Sequence, residues 1–147
     1  MYEYFTCQTA FGSVAVVVSD LGLVALGWPA ASAADAVVGL GPTGSLRQVQ
    51  PGASWQRFVG KLQAYFQGQR VTFTDEPIDW RGLTPFRRQV WEVVRAIPWG
   101  TTRSYADVAA AVGVAGAARA VGGAMAANRL PVVVPCHRVV GSDGRLV

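Results

Sequence analysis

The chain holds one histidine and two cysteines, and it has no apolar run near the roughly 18 residues that a membrane span needs. Each scarcity excludes something. Cys7 and Cys136 cannot form the disulfide framework of a small secreted domain, and with a single histidine they match no zinc-ligand spacing. A reducing compartment and no metal are therefore expected. The N-terminus Met1-Tyr2-Glu3-Tyr4 lacks a basic stretch followed by an apolar one, so no secretory signal is read there, and a cytoplasmic protein without membrane association is expected. Acids are scarce in the second half: residues 81–147 carry nine arginines against Glu92, Asp107 and Asp143, whereas residues 1–80 carry four bases against six acids. Clustered arginine suits a polyanionic partner, which gains by counterion release. A solvated basic face is the alternative at this level.

What is present supports a substantial core. Of 147 residues, 51% are hydrophobic, enough for one ordinary domain or two small ones. Composition shifts at Arg81-Gly82-Leu83, which suggests a domain over 1–80 and another over 81–147. In the first, loose alternation through Tyr2, Tyr4, Val14, Val16 and Val18, punctuated by Phe11-Gly12-Ser13 and Asp20-Leu21-Gly22, predicts a hairpin and a third strand over Leu23 to Trp28. Residues 29–53 read as a mobile connection with a short helix over Ala31 to Val38. Ser54 is placed as the cap of a helix whose stripe Trp55, Phe58, Val59, Leu62, Tyr65 and Phe66 belongs in the core, with Gly68 at its end. Val71 to Phe73 suggest another strand.

In the second domain Thr84 caps a helix that has Pro85 at its first position and Phe86, Val90, Val93, Val94 and Ile97 on its apolar face. Ser104 and Asp107 form a capping box for a short helix through Val112. A third helix runs from Ala117 to Ala127 and closes at Asn128. The last two helices, joined by a tight glycine-containing turn, have the spacing of a helix-turn-helix. The second of them is built almost wholly of Ala, Gly and Val. It has no set of long polar side chains to read base edges, but its surface suits close approach to a DNA backbone, with Arg119 as its far-reaching side chain. An ordinary packed helix hairpin is the alternative.

Pro131 to Gly141 carries the chemistry. The apolar run Val132 to Val134 reads as a strand that Pro135 interrupts before Cys136, with His137 beside it and Val139 and Val140 after it. A thiol becomes a useful nucleophile when an imidazole or a positive charge favours the thiolate, and Cys136, His137 and Arg138 supply those parts. A cysteine in an apolar run is, on local grounds alone, equally readable as a small core residue.

The combination of Ser104-Tyr105 at a helix start, then Ala117-Ala118-Arg119-Ala120-Val121-Gly122, then Pro135-Cys136-His137-Arg138-Val139 after a valine run resembles the methylated-DNA:protein-cysteine methyltransferases. The resemblance covers roughly residues 84–146. It implies an α+β fold in which a small N-terminal antiparallel sheet with helix precedes a mainly helical domain bearing the helix-turn-helix and an active-site strand. It also implies DNA repair without a cofactor, in which Cys136 takes an alkyl group from the 6-oxygen of guanine in double-stranded DNA, once and irreversibly, in a protein expected to be a monomer. By the same resemblance, His137 links the thiol through water to a glutamate. Arg119 replaces the flipped base in the stack, Tyr105 supports flipping, and the Val139 backbone contacts the base. Asn128 holds the turn before the thiol, and Arg87 and Ser142 meet phosphates. A protein must extrude a base to react with it inside a duplex, which gives these roles a physical basis.

Three departures from the family pattern stand out. The chain stops at Val147 where the family continues through a glycine-rich loop to a helix bearing the glutamate, no carboxylate follows Asp143, and Arg129 stands where proline is usual. The sequence reading is thus of a chain ending early, which binds DNA and transfers alkyl groups slowly or not at all. An alkyltransferase-like damage-binding protein is the alternative, and a Cys-His hydrolase is disfavoured for want of an orienting third residue.

Overall fold

A computed structural model describes residues 2–41 and 45–141. The chain divides into two compact units, residues 1–79 and 80–147.

The first unit is a four-stranded sheet with two helices. Strands β1 (Tyr2–Thr9), β2 (Gly12–Ser19) and β3 (Gly22–Leu26) form the expected antiparallel meander. A short β4 (Leu46–Gln48) joins the free edge of β1 in parallel, giving the order β3-β2-β1-β4. Its partner residues Glu3 and Arg47 form an ion pair. β2 is central and every residue from Ser13 to Ser19 is buried, so both of its faces are covered. The turns are tight enough to demand glycine: a Cβ on Gly12 would lie 2.3 Å from the Ala30 carbonyl oxygen, and one on Gly22 2.4 Å from that of Pro77.

Helix α1 (Ala33–Val38) is capped by Ser32, and α2 spans Ala53–Phe66. The N-cap of α2 is Gly52, not Ser54, which lies inside the first turn and makes no cap bond. Of the stripe expected in the core, Phe58 and Leu62 are fully buried and Trp55, Val59, Tyr65 and Phe66 are half-buried, while Phe5–Trp55, Trp55–Phe58 and Phe58–Phe73 pack ring on ring. Burying Phe58 and Leu62 contributes about 2–3 kcal/mol each. Val71 to Phe73 do not form a strand. Phe73 turns into the aromatic cluster, and the pairing moves on to Ile78, which bridges Leu23. Beside it, the Ser19 hydroxyl donates to the buried Asp79 carboxylate at 2.7 Å.

The second unit is mainly helical. α3 (Pro85–Arg95) starts as expected, the Thr84 hydroxyl accepting from the Arg87 amide. α4 (Tyr105–Ala111) opens with the capping box complete, the Ser104 and Asp107 side chains each accepting from the other's amide. α5 (Ala118–Ala126) buries Val121, Ala124 and Met125. Strands β5 (Arg103–Ser104) and β6 (Val139–Val140) pair in parallel.

The expected strand over Val132 to Val134 is not one. Those residues form a buried turn in which the Val134 amide donates back to the Leu130 carbonyl at 2.8 Å, and Val132 has φ 75°. Prolines at 131 and 135 remove the amides that a ladder would use, so the apolar run is satisfied by burial within a turn. The active-site strand is reduced to β6, after the thiol. Among the described residues, no helix is long and apolar enough to cross a membrane.

Candidate active site

The thiol is presented by three successive turns. Asn128, just past α5, closes the first: its side-chain oxygen accepts from the Leu130 amide at 2.9 Å, and its side-chain nitrogen donates to the Val134 carbonyl at 2.8 Å. Pro135 then adopts φ −79°, ψ 75°, the conformation of an inverse γ-turn, and the Cys136 amide donates to the same Val134 carbonyl at 2.8 Å. Finally Cys136–Arg138 make one turn of 3₁₀ helix, closed by the Arg138 amide on the Pro135 carbonyl. The Arg138 guanidinium donates to the Ile97 carbonyl at 2.7 Å, just beyond the end of α3. A cation there also suits the negative end of the helix. β6 follows, so the segment holding the thiol is fixed on both sides.

Cys136 and His137 open into a pocket of about 800 Å³ that is also lined by Tyr105, Ala118, Arg119, Gly122, Met125, Ala126 and Val139. Such a volume lies within the range of small-molecule sites. Tyr105 arrives from the first residue of α4, which the β5–β6 pairing places beside Val139. Arg119 stands exposed in the first turn of α5.

The pKa of His137 is held below the ordinary histidine value, first by partial removal of the imidazole from water and then by the adjacent Arg138 charge. That direction favours the neutral imidazole, which has a ring nitrogen able to accept a proton. The Cys7 thiol in β1 is pushed by burial up to about 11, which keeps it a protonated, inert strand residue.

The residues singled out in the sequence separate into groups. Cys136, His137, Tyr105, Arg119 and Val139 share the pocket, whereas Asn128 supports the turn behind it. Arg87 lies exposed in the first turn of α3 and does not line the pocket. Ser142 lies outside the described residues. Sequence reasoning passed over Ala118, Gly122, Met125 and Ala126 as lining residues, although with Arg119 they fall on one helical stripe. It also passed over Trp91, which is fully buried on α3 and whose indole N–H donates to the Ala124 carbonyl at 3.0 Å.

A thiol and an imidazole thus line one largely apolar pocket, walled by the second of two short helices joined by a tight turn. Comparison with known proteins narrows the class. Residues 1–80 match the family model "6-O-methylguanine DNA methyltransferase, ribonuclease-like domain", and residues 85–147 match "6-O-methylguanine DNA methyltransferase, DNA binding domain". The chain belongs to the 6-O-methylguanine DNA methyltransferase family. It is 52% identical over 86 residues to the constitutive methylated-DNA–protein-cysteine methyltransferase of Bacillus subtilis, a match spanning 58% of this chain and 51% of that protein. The match thus spans about half the length of that relative. The crystal structure of the Mycobacterium tuberculosis O6-methylguanine methyltransferase superposes with a TM-score of 0.78 at 35% identity, covering 100% of this chain and 83% of that one. A structure of Mycobacterium tuberculosis OGT in complex with DNA gives 0.78 at 34% identity, covering 99% and 82%.

Proposed function

We propose that this chain repairs DNA by accepting an alkyl group from the 6-oxygen of guanine onto the sulfur of Cys136, acting as a cytoplasmic monomer on duplex DNA. The observation that carries this reading is that Cys136 lines one pocket with Arg119, the far-reaching residue in the first turn of α5. The chemistry balances without a cofactor. The thiol proton passes to neutral His137 directly or through water, the sulfur attacks the alkyl carbon, and the carbon–oxygen bond breaks with its electron pair on the 6-oxygen. Protonation of the purine then restores guanine. The product thioether has no leaving group at neutral pH, so each protein acts once.

The target base must leave the stack to reach the thiol, at a cost of a few kcal/mol that an inserted side chain offsets in part. Arg119 takes that role in this reading, with Tyr105 holding the extruded nucleotide and the Val139 backbone meeting the base. Arg87 and Ser142 are assigned to phosphates, and Asn128 supports the thiol turn.

The glycines of α5 support DNA approach. Apart from the chain neighbours and the helix's own backbone, no atom of the described residues lies within 4 Å of where a Cβ would stand on Gly122 or Gly123, yet a helical glycine costs about 1 kcal/mol relative to alanine. Packing among the described residues does not account for them, whereas close passage of an external backbone would.

The test is intact mass after incubation with a duplex containing O6-methylguanine. One methyl group gained per chain, lost in Cys136→Ala while DNA binding persists, is the expected result. DNA binding with no uptake would favour a damage-binding role, and repeated turnover would favour a hydrolase.

A further inference from the structure

Ala124 is among the last residues of α5, where helix carbonyls lack regular intrahelical partners. The Asn128 amide, which would serve Ala124 in a continuing helix, donates instead to the Met125 carbonyl at 3.0 Å. The Trp91 indole N–H takes the vacated position at 3.0 Å from Ala124, and its ring is fully buried, so water does not compete. An α3 side chain thereby caps the end of α5.

From that point four residues of backbone lead to Asn128, whose side chain is hydrogen-bonded to the turn that holds the thiol. Asn128 departs from the capped turn, its side chain donates to the Val134 carbonyl, and the same carbonyl receives the amide of Cys136. Trp91 has a second hold on the segment, because the guanidinium of Arg129, next to Asn128, lies 5.6 Å from its ring centroid. Its ring also packs against that of Trp80, with the centroids 6.3 Å apart. A phenylalanine would fill most of this volume. It could not donate the hydrogen bond.

We infer that Trp91 is a positioning residue for Cys136: its indole N–H fixes where α5 ends, and with it the Asn128 clasp that sets the thiol turn. This rests on Cys136 being the reacting thiol of the proposed function, and it adds a residue that lines no part of the pocket.

The full chain carrying Cys7→Ala, so that one thiol reports, is compared with the same chain carrying Trp91→Phe. The rate of carboxamidomethylation of Cys136 by iodoacetamide is expected to change three- to tenfold, and to change no further when Asn128→Ala is added to Trp91→Phe, since both act through one turn. A second measurement leaves Trp91 and Asn128 unchanged. In nitrogen-15 tryptophan spectra of the Cys7→Ala chain, the indole signal of Trp91, assigned by its proximity to Ala124, is expected to shift when Cys136 is carboxamidomethylated. The signals of Trp28 and Trp55 are expected to stay. An unaltered rate in a folded Trp91→Phe chain, additive effects in the double variant, or an unmoved Trp91 signal would each overturn the inference. If these couplings hold but no methyl group is taken from O6-methylguanine in DNA, the acceptor reading fails and the positioning role stands.

Discussion

Replacing Asn128 with alanine tests how the thiol turn is held. The side chain makes two hydrogen bonds to backbone groups of Leu130 and Val134, both residues fully buried. The losses are unequal. The Leu130 amide loses its bond to Asn128, a cost of about 1–3 kcal/mol for an unsatisfied buried donor, whereas the Val134 carbonyl keeps the Cys136 amide, so its loss is nearer 0.5–1.5 kcal/mol. The sum is roughly 2–4 kcal/mol. Val132 works against part of it, since a β-branched residue at φ 75° stores about 1–3 kcal/mol, and some is released once the turn relaxes. Urea unfolding followed by circular dichroism should therefore show Asn128→Ala less stable by about 2 kcal/mol, a large share of a small domain's total. Asn128→Asp supplies the control. It keeps the acceptor for Leu130 but turns a carboxylate oxygen toward the Val134 carbonyl, so at neutral pH it should be no better than alanine and should improve when the carboxyl is protonated. Stability of Asn128→Ala within about 0.5 kcal/mol of the parent, the range of ordinary surface changes, would refute this account.

Three other outcomes are expected. Arg119→Ala should slow methyl uptake from duplex DNA more than uptake from free O6-methylguanine, and equal slowing on both substrates would remove Arg119 from base extrusion. Gly122→Ala should raise the thermal stability of the chain by about 0.5–1 kcal/mol, the helical gain over glycine, while weakening duplex binding at least tenfold in a fluorescence anisotropy titration; unchanged binding would mean that no DNA backbone passes there. The sole histidine permits a direct proton NMR titration, in which His137 should titrate below the ordinary value of about 6.5. Arg138→Ala should raise that pKa only in part, because loss of hydration is the larger cause. Since the folded state holds this pKa down, the stability tied to neutral His137 is fully present above the unfolded value and is lost as pH falls through the folded one. A titration at or above the ordinary value would contradict the site geometry.

Features that depend on neighbouring residues were legible in the sequence. Thr84 with Pro85, and Ser104 with Asp107, are helix starts set within one turn of chain, and the β1–β2 hairpin is announced by Phe11-Gly12-Ser13. Features set by tertiary partners were not. Val132 to Val134 have strand-like side chains, but an apolar run only reports burial, and two prolines with the Asn128 clasp decide in favour of a turn. β4 is short, polar and paired in parallel at a sheet edge, so no alternation marks it. The helix over 53–66 was visible from its aromatic stripe, although its cap was assigned two residues late. Cys136, His137, Tyr105 and Arg119 could be nominated from motifs. Trp91 could not, because its partner is a carbonyl 33 positions away.

The pairing of β5 with β6 has a topological consequence. The segment from Tyr105 to Arg138 leaves and re-enters the unit at the same two-residue ladder, so it is a closed loop containing α4, α5 and the thiol turn. A loop tied at its neck tends to open and close as one cooperative block, with its amides exchanging with solvent together. In the proposed function, the wall assigned to the nucleotide and the sulfur assigned to react with it therefore share one opening equilibrium. A molecule whose ladder has parted loses recognition and reactivity at once, so the thiol is least well presented when no groove is there to guide a substrate to it.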